Sequence, residues 1–288
     1  MVCFIILHYM VMEETVGCIR NLLNLEGKKI IIIVDNASSN GTGRKLAEMY
    51  EDNNEVYVLL NKKNEGFSRG NNRGCAFAKA KFAPDYYVVM NNDVEIPQAD
   101  FIDRIIKIWK ETGYDVLGPD IYSTSRKVHQ SPKSLTRTSI ESAKEARNHY
   151  QRLLNSHFMV PVRCFLKQIP SIRHAYDQYK NKRRHIDHTR EYRNVPLHGS
   201  CLIFSKRFID SRKEAFFPGT FFYYETEILD YECQINNQTV VYSPDIQVYH
   251  HQNVSTNTVY RKELDRVRFM NLQNYRSISS FLEAYGNE

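Results

Sequence analysis

The chain has 288 residues, 42% hydrophobic and 12% aromatic, enough to bury the core of one large domain or of one domain with a sizeable insert. Six cysteines (Cys3, Cys18, Cys75, Cys164, Cys201 and Cys233) stand far apart without a CxxC pair, which excludes a disulfide framework and suits free thiols in a reducing compartment. The net charge is +6, and its excess lies between Arg163 and Arg193, where 9 Lys/Arg stand against 3 Asp/Glu.

In chain order, the opening MVCFIILHYMVMEE lacks a basic leader and a cleavage site, and its apolar run Val2–Leu7 predicts a first strand. The spacing of Val16, Ile19, Leu22 and Leu23 predicts a helix over Glu13–Leu25. Lys29–Val34 reads as a second strand, Gly41–Tyr50 as a helix, Val56–Leu60 as a third strand and Ser68–Phe82 as an Ala-containing helix. A buried strand then ends at Met90, and a helix follows over Phe101–Glu111. Strand–helix alternation with short links predicts an α/β fold, a mostly parallel central sheet with helices on both faces.

Thr138 to Asn194 breaks this plan. It is polar, basic and helix-compatible, with interruptions at Pro161 and Pro170, and reads as a helical insert. Leu153-Leu154, Phe158-Met159-Val160 and Cys164-Phe165-Leu166 give it an apolar face beside Arg163 and Lys167. Two readings stay open: a face laid on an anionic membrane surface, or one packed on its own domain. Strands are expected again at Leu197–Phe204, Thr239–Tyr242 and Ile246–Tyr249, with an acidic helix near Glu225–Ile235 and a polar helical tail from Thr258 to Tyr285. No apolar run approaches the ~18 residues that span a bilayer, so the expected location is the cytoplasm, in solution or on the inner face of the membrane.

The polar clusters at the strand ends carry the chemistry. In open α/β sheets, ligands bind outside the carboxyl ends of the strands. Strand two ends in Asp35-Asn36-Ala37-Ser38-Ser39-Asn40-Gly41, where Asp35 can accept from a base N–H or a ribose hydroxyl, or can cap the next helix. After strand three, Asn64-Glu65-Gly66-Phe67-Ser68-Arg69-Gly70-Asn71 offers glycines for close backbone approach, a helix N-terminus for an anion and a guanidinium for a diphosphate. It is neither GxGxxG nor a Walker loop, so a generic dinucleotide or ATPase site is not expected. The strand Tyr86–Met90 ends in Asn91-Asn92-Asp93, whose carboxylate can hold Mn2+ or Mg2+ against a phosphate.

In this order, and with the first-strand run Ile5–Tyr9 before them, the three clusters resemble the inverting glycosyltransferases of family 2, which have the GT-A fold, in the variant of bacterial capsular and O-antigen rhamnosyl- or galactosyltransferases. The resemblance runs through Ile5–Tyr9, Val34–Gly41, Asn64–Gly74 and Asn91–Asp93 and resumes from Leu197 to Ser255; His129-Gln130-Ser131-Pro132 is similar to a short motif of that group. It implies a single domain over 1–288, with a nucleotide-sugar half (1–120), a helical insert (138–194), an acceptor and catalytic half (195–257) and a C-terminal tail (258–288). It also implies a UDP- or dTDP-sugar donor and a glycan or polyprenyl-diphosphate-linked acceptor, with no nucleic-acid partner.

Residue by residue, the resemblance puts Tyr9 and Asp35 beside the base, and Asn64, Gly66, Arg69 and Asn71 along the ribose and diphosphate. Asn91-Asn92-Asp93 takes the family's DxD place, with Asp93 as the metal carboxylate and Asn91 in place of the first Asp. Gly199 and Ser200, in Leu197-His198-Gly199-Ser200-Cys201-Leu202, fall on the acceptor floor. Thr226 stands where the family carries its base, which leaves Glu225 and Glu227 as candidates, Glu227 preferred because it adjoins the vacated position. In Tyr249-His250-His251-Gln252-Asn253-Val254-Ser255, one histidine adds a metal ligand; the spacing favours His250, and neighbours on a strand face opposite ways. A sugar-nucleotide pyrophosphorylase would carry a Gly-rich, basic loop after strand one, where this chain has His8-Tyr9-Met10-Val11-Met12. A non-catalytic scaffold that keeps the donor pocket is the remaining alternative, and Thr226 is the feature that favours it.

Overall fold

The computed structural model describes residues 1–156, 160–161, 186–251 and 262–286. The first half forms as its periodicity dictates: β1 (Val2–His8), α1 (Met12–Leu23), β2 (Lys29–Asp35), α2 (Thr42–Met49), β3 (Val56–Leu60), α3 (Gly66–Phe82) and β4 (Tyr86–Asn91). There follow β5 (Val94–Glu95), α4 (Phe101–Thr112), β6 (Val116–Ser123), β7 (Val128–His129) and α5 (Ile140–Asn155). The remainder is β8 (Tyr192–Arg193), β9 (Cys201–Ser205), α6 (Lys206–Asp210), α7 (Glu225–Ile235), β10 (Val240–His250) and α8 (Glu263–Tyr285).

All ten described strands join one sheet in the order β3-β2-β1-β4-β9-β6-β10-β5, with β7 added beside β6 and β8 beside β10. β1 pairs parallel with β2 and β4, β2 with β3, and β6 with β10. β9 enters antiparallel between β4 and β6. Two reversals restore direction, so the carboxyl ends of β1, β2, β3, β4, β6 and β10 lie along one edge. The amino end of β9 meets them there, which brings Gly199 and Ser200 to the same edge.

The sheet is dry on both faces, which is why β1 and β2 are continuous apolar runs and do not alternate. Phe4, Ile6 and Ile33 pack with Ile19 and Leu22 of α1 and Ile105 and Ile108 of α4. Ile5, Ile32 and Val34 face the other way, onto Cys75 and Ala78 of α3 in a core that also holds Leu229 and Cys233 of α7. Truncating one of these fully buried side chains to Ala costs about 2–5 kcal/mol, through lost transfer energy and the cavity left behind.

Three expectations shift in detail. Helix α3 starts at Gly66, because a left-handed glycine (φ 76°) turns the chain into the helix two residues before Ser68. The strand expected from Leu197 begins only at Cys201, since His198 to Ser200 form a polar turn closed by the Ser200 N–H on His198 Nδ1. The two short strands near the C-terminus are one, β10, with its register broken between Ser243 and Gln247; Pro244 lies in that break and has no N–H for the ladder.

Of the insert, α5 is capped by Ser139 and Ser142, each side chain bonded to the other's backbone N–H. Helix α8 packs along α5 through Ala143, Ile278, Phe281 and Leu282. Leu153 and Val160, two members of the expected apolar face, are buried and join Leu264 and Val267 of α8, so this part of the face covers its own domain. Phe158, Met159, Cys164, Phe165 and Leu166, and the basic residues Arg163 to Arg184, lie outside the described residues, as do Gln252 to Ser255. Cys3, Cys18, Cys75, Cys201 and Cys233 are buried free thiols. No described helix is long and apolar enough to cross a membrane.

Candidate active site

The loops at the common sheet edge are organised by one asparagine. Asn36, just beyond β2, donates from its amide nitrogen to Asn64 Oδ1 (2.9 Å) and to the Gly66 carbonyl (3.1 Å). Its Oδ1 accepts from the Asn61 amide (2.9 Å) and the Glu65 N–H (3.0 Å). Asn64 Oδ1 also accepts from the Gly66 N–H at 2.9 Å. The loops after β2 and β3 are thus one hydrogen-bonded unit, and Asn36 holds it although it was not expected among the site residues. Asp35 is buried at the tip of β2 and accepts from the Ser38 N–H at 3.2 Å within the loop; it does not cap α2, whose N-cap is Gly41 with no side-chain bond. Tyr9 is half-buried beside it at the end of β1.

Gly66 meets the second half of the chain. A Cβ there would lie 2.2 Å from the Phe221 carbonyl oxygen, and that oxygen accepts the Phe67 N–H at 2.7 Å. Arg69 Nε donates to the Pro218 carbonyl (2.9 Å), while its side chain remains largely exposed. Asn71 donates back along α3 to the Phe67 carbonyl, and its Oδ1 is buried without a hydrogen-bond partner among the described residues.

Beyond β4 the three residues of the motif diverge. The Asn91 N–H bonds the Ser200 carbonyl at 2.9 Å, tying the strand tip to the loop before β9. Asn92 turns its amide inward to Thr15 Oγ1 of α1 (3.0 Å), a buried bond within the protein. Asp93 alone aims a carboxylate at His250: Oδ1 lies 3.3 Å from His250 Nε2, and both side chains are buried. This Oδ1 makes no hydrogen bond among the described residues.

The other face of the imidazole explains the arrangement. His250 Nδ1 is 2.8 Å from Gln130 Oε1, which can only accept, so Nδ1 carries the hydrogen. In the neutral ring Nε2 then presents a lone pair to a carboxylate oxygen that has no donor. Two acceptors facing each other at this distance suit a shared divalent cation, with Gln130 as the outer partner that sets the tautomer. His251, the residue after β10, points away. Its Nε2 lies 3.1 Å from Glu95 Oε2 and its Nδ1 3.1 Å from Thr124 Oγ1. His198 is also close, with its ring centroid 5.7 Å from that of His250. Burial, then the positive charge of Lys133, hold His198 far below the ordinary histidine range, so it is neutral.

The acidic helix supplies the remaining groups. α7 starts at Glu225 directly after Tyr223 and Tyr224, both left-handed at φ 68° and 70°. Such a conformation costs a non-glycine residue about 1–3 kcal/mol and clusters at functional sites. The turn presents Thr226 to Gly199, where a Cβ would already come within 3.0 Å of the Thr226 methyl. Lys133 Nζ donates to Thr226 Oγ1 (3.1 Å) and forms a close ion pair with Glu227.

The two glutamates therefore differ. Burial acts to raise the Glu227 carboxyl, but the adjacent Lys133 ammonium outweighs it and holds the group below the usual range. Burial pushes Glu225 up to about 7; backbone hydrogen bonding opposes this and the Glu227 charge adds to it. Glu225 Oε1 is buried and has no hydrogen-bond partner among the described residues. Lys133 was not among the expected site residues. Its only sequence signal was its place directly after His129-Gln130-Ser131-Pro132.

A family model described as "Glycosyl transferase family 2" matches residues 3–231. The chain belongs to glycosyl transferase family 2. This glycosyltransferase is 24% identical over 278 residues to the low-salt glycan biosynthesis hexosyltransferase Agl10 of Haloferax volcanii, covering 88% of this chain and 76% of Agl10. Its fold is that of the 1–349 fragment of S. aureus TarS in complex with UDP, with a TM-score of 0.55 at 14% identity over 100% of this chain and 72% of that one. It is also that of GalNAc-T7 with UDP, GalNAc and Mn2+, with a TM-score of 0.57 at 13% identity over 88% of this chain and 43% of the other. The glycosyltransferase thus has the GT-A type architecture, a mixed sheet flanked by helices.

Proposed function

We propose that this glycosyltransferase moves a sugar from a nucleoside-diphosphate sugar to a hydroxyl of a glycan or lipid-diphosphate-linked acceptor, with inversion and with the help of Mn2+ or Mg2+. The observation that carries the reading is the Asp93–His250 pair at the carboxyl edge of the sheet, two buried acceptors 3.3 Å apart with Gln130 behind the imidazole. A bound ion there would supply charge neutralisation for the leaving diphosphate. Support for the donor class comes from the fold neighbours with UDP or UDP-GlcNAc bound, and for a glycan product from the name of the Haloferax relative.

Around that pair, Asp35 and Tyr9 receive the base, and the unit of Asn64, Gly66 and Asn71 lies along the ribose and diphosphate, with the Arg69 guanidinium at its open side. Gly199 and Ser200 form the floor on which the acceptor rests. Glu225 takes the acceptor hydroxyl proton, because a base at pH 7 needs a carboxylate that is unpaired and near neutral in pKa. Glu227 is occupied by Lys133 and keeps that ammonium next to Thr226. Glu225 thereby replaces Glu227 as the preferred base. The product belongs to a growing surface polysaccharide of the capsule or O-antigen kind, made at the inner membrane face.

Calorimetry with a panel of nucleotides and nucleotide sugars, with and without Mn2+, tests this. The expected result is one nucleoside diphosphate bound tightly, lost without metal and lost in Asp93→Ala. Metal-independent binding that survives Asp93→Ala would remove the ion from the reaction. The scaffold reading rests on Thr226 in the base position; donor binding without turnover on a broad acceptor set would favour it.

A further inference from the structure

On the opposite side of the sheet edge from Asp93 and His250 lies a second group of ligating side chains. Asp120 is buried on β6, His129 sits on β7, and His188 belongs to the segment leading to β8; one ligating atom from each lies within 4.8 Å of the others. We infer that Asp120, His129 and His188 form a second metal site, for a divalent transition ion of the zinc class, which pins the C-terminal end of the insert to the sheet.

The donor set suits that class. Two imidazoles and one carboxylate are ligands of borderline softness, unlike the all-oxygen shells of Mg2+ and Ca2+. The outer partners are already in place. His188 Nδ1 lies 2.9 Å from the Ser131 carbonyl, which can only accept, so the hydrogen is on Nδ1 and Nε2 keeps its lone pair. Asp120 Oδ2 accepts from the Gln247 amide at 3.1 Å, which orients the carboxylate and leaves Oδ1 toward His129 Nδ1 at 2.7 Å.

That Asp120–His129 bond holds a proton where an ion would sit. Binding displaces it: the Nδ1 proton exchanges through solvent, the ring takes its hydrogen on Nε2, and His129 Nδ1 and Asp120 Oδ1 turn their lone pairs to the metal. The rings of His129 and His188 are near-parallel, 4.6 Å apart between centroids. His129 is exposed on a two-residue edge strand, so it can turn out of that stack to converge on the ion. Three protein ligands leave a fourth position for water, as in an open zinc site.

The site is separate from the first but linked to it. Neighbouring residues on a strand face opposite ways, so His129 faces Asp120 while Gln130 reaches His250. An ion held by His129 thus restrains β7 and, through Gln130, the tautomer of His250.

The test uses the full chain stripped of metal, in Asp93→Ala so that the first site does not compete, and Co2+ as the optical probe. We expect one Co2+ per chain with the strong visible bands of a four-coordinate site, displaced by Zn2+. His188→Ala and His188→Gln in the same background should weaken Co2+ binding at least ~10-fold, with unchanged circular dichroism for at least one of them. A raised Tm with Zn2+ in Asp93→Ala, absent in the His188 variants, gives a second reading. No stoichiometric Co2+ or Zn2+ binding in Asp93→Ala, or binding indifferent to both His188 substitutions, overturns the inference and leaves a hydrogen-bonded His–Asp pair.

Discussion

The donor edge and the acceptor edge of the proposed function are built by different means. The donor edge grows from consecutive βα units, whose parallel strands deliver their polar tips side by side. There Asn36 ties neighbouring loops through neutral amide and backbone bonds, and the left-handed residues other than glycine, Met10 and Ala37, stand apart in sequence. The acceptor edge is assembled from segments far apart in sequence: Lys133, Gly199, the turn at Tyr223-Tyr224 and the start of α7. It holds two successive left-handed tyrosines and an ammonium beside two carboxylates. On the proposed function, the difference teaches that binding a nucleotide needs backbone placement, whereas removing a proton needs a tuned charge, which burial and distant partners supply at Glu225.

The sharpest way to break that comparison is at the acid pair. Glu225→Gln should lower kcat by about 10²–10⁴-fold with the donor Kd unchanged, and Glu227→Gln should cost less; the reverse order in steady-state assays would return the base to Glu227. Next comes Asp93→Ala, expected to lower kcat by about 10²–10³-fold and to abolish the metal dependence of donor binding by calorimetry. Gln130→Ala should weaken Mn2+ binding by about 10–100-fold with the fold intact by circular dichroism. Unchanged Mn2+ affinity in that variant would separate the imidazole tautomer from metal binding.

A smaller effect concerns pH. With Glu225 at about 7, kcat/KM should climb through a limb near that value, because only the carboxylate accepts a proton. Lys133→Met removes a charge that lowers the Glu225 pKa, so the limb should move to higher pH; a static limb would detach Lys133 from the base. Stability follows the opposite sign. The folded pKa lies above the exposed-glutamate value of 4.5, so unfolding releases a proton between the two. This group's contribution is therefore fully present below about 4.5 and is lost as pH rises through about 7. Glu225→Gln should flatten that slope in chemical denaturation.

Much of this was legible in residue order. Val2–Leu7, Lys29–Val34 and Tyr86–Met90 could only be buried strands, and each runs into residues that cannot be buried without partners. Asp35, Asn64, Gly66 and Asp93 therefore had to lie at the ends of parallel strands, on one edge. The choice of His250 over His251 was suggested by spacing, but the position of either relative to Asp93 was not. Lys133 was invisible because an ion pair to a residue 94 positions away leaves no local pattern, and Asn92 gave no sign that Thr15 would claim its amide.

By itself, then, the sequence determined the alternation of strands and helices, the ordered polar tips and the family. These depend on local periodicity and on backbone groups that must be paired within each element. Only the tertiary structure decided three things. It inserted β9 antiparallel, which carries Gly199 and Ser200 to the functional edge. It set the register of β10 against β5 and β6, which turns His250 inward and His251 outward. And it buried Glu225 while placing Lys133 against Glu227, so that two similar carboxylates acquired opposite pKa shifts. Register is set by partners remote in the chain, and a pKa by the charges and solvent around a group in space; neither is written in the order of its neighbours.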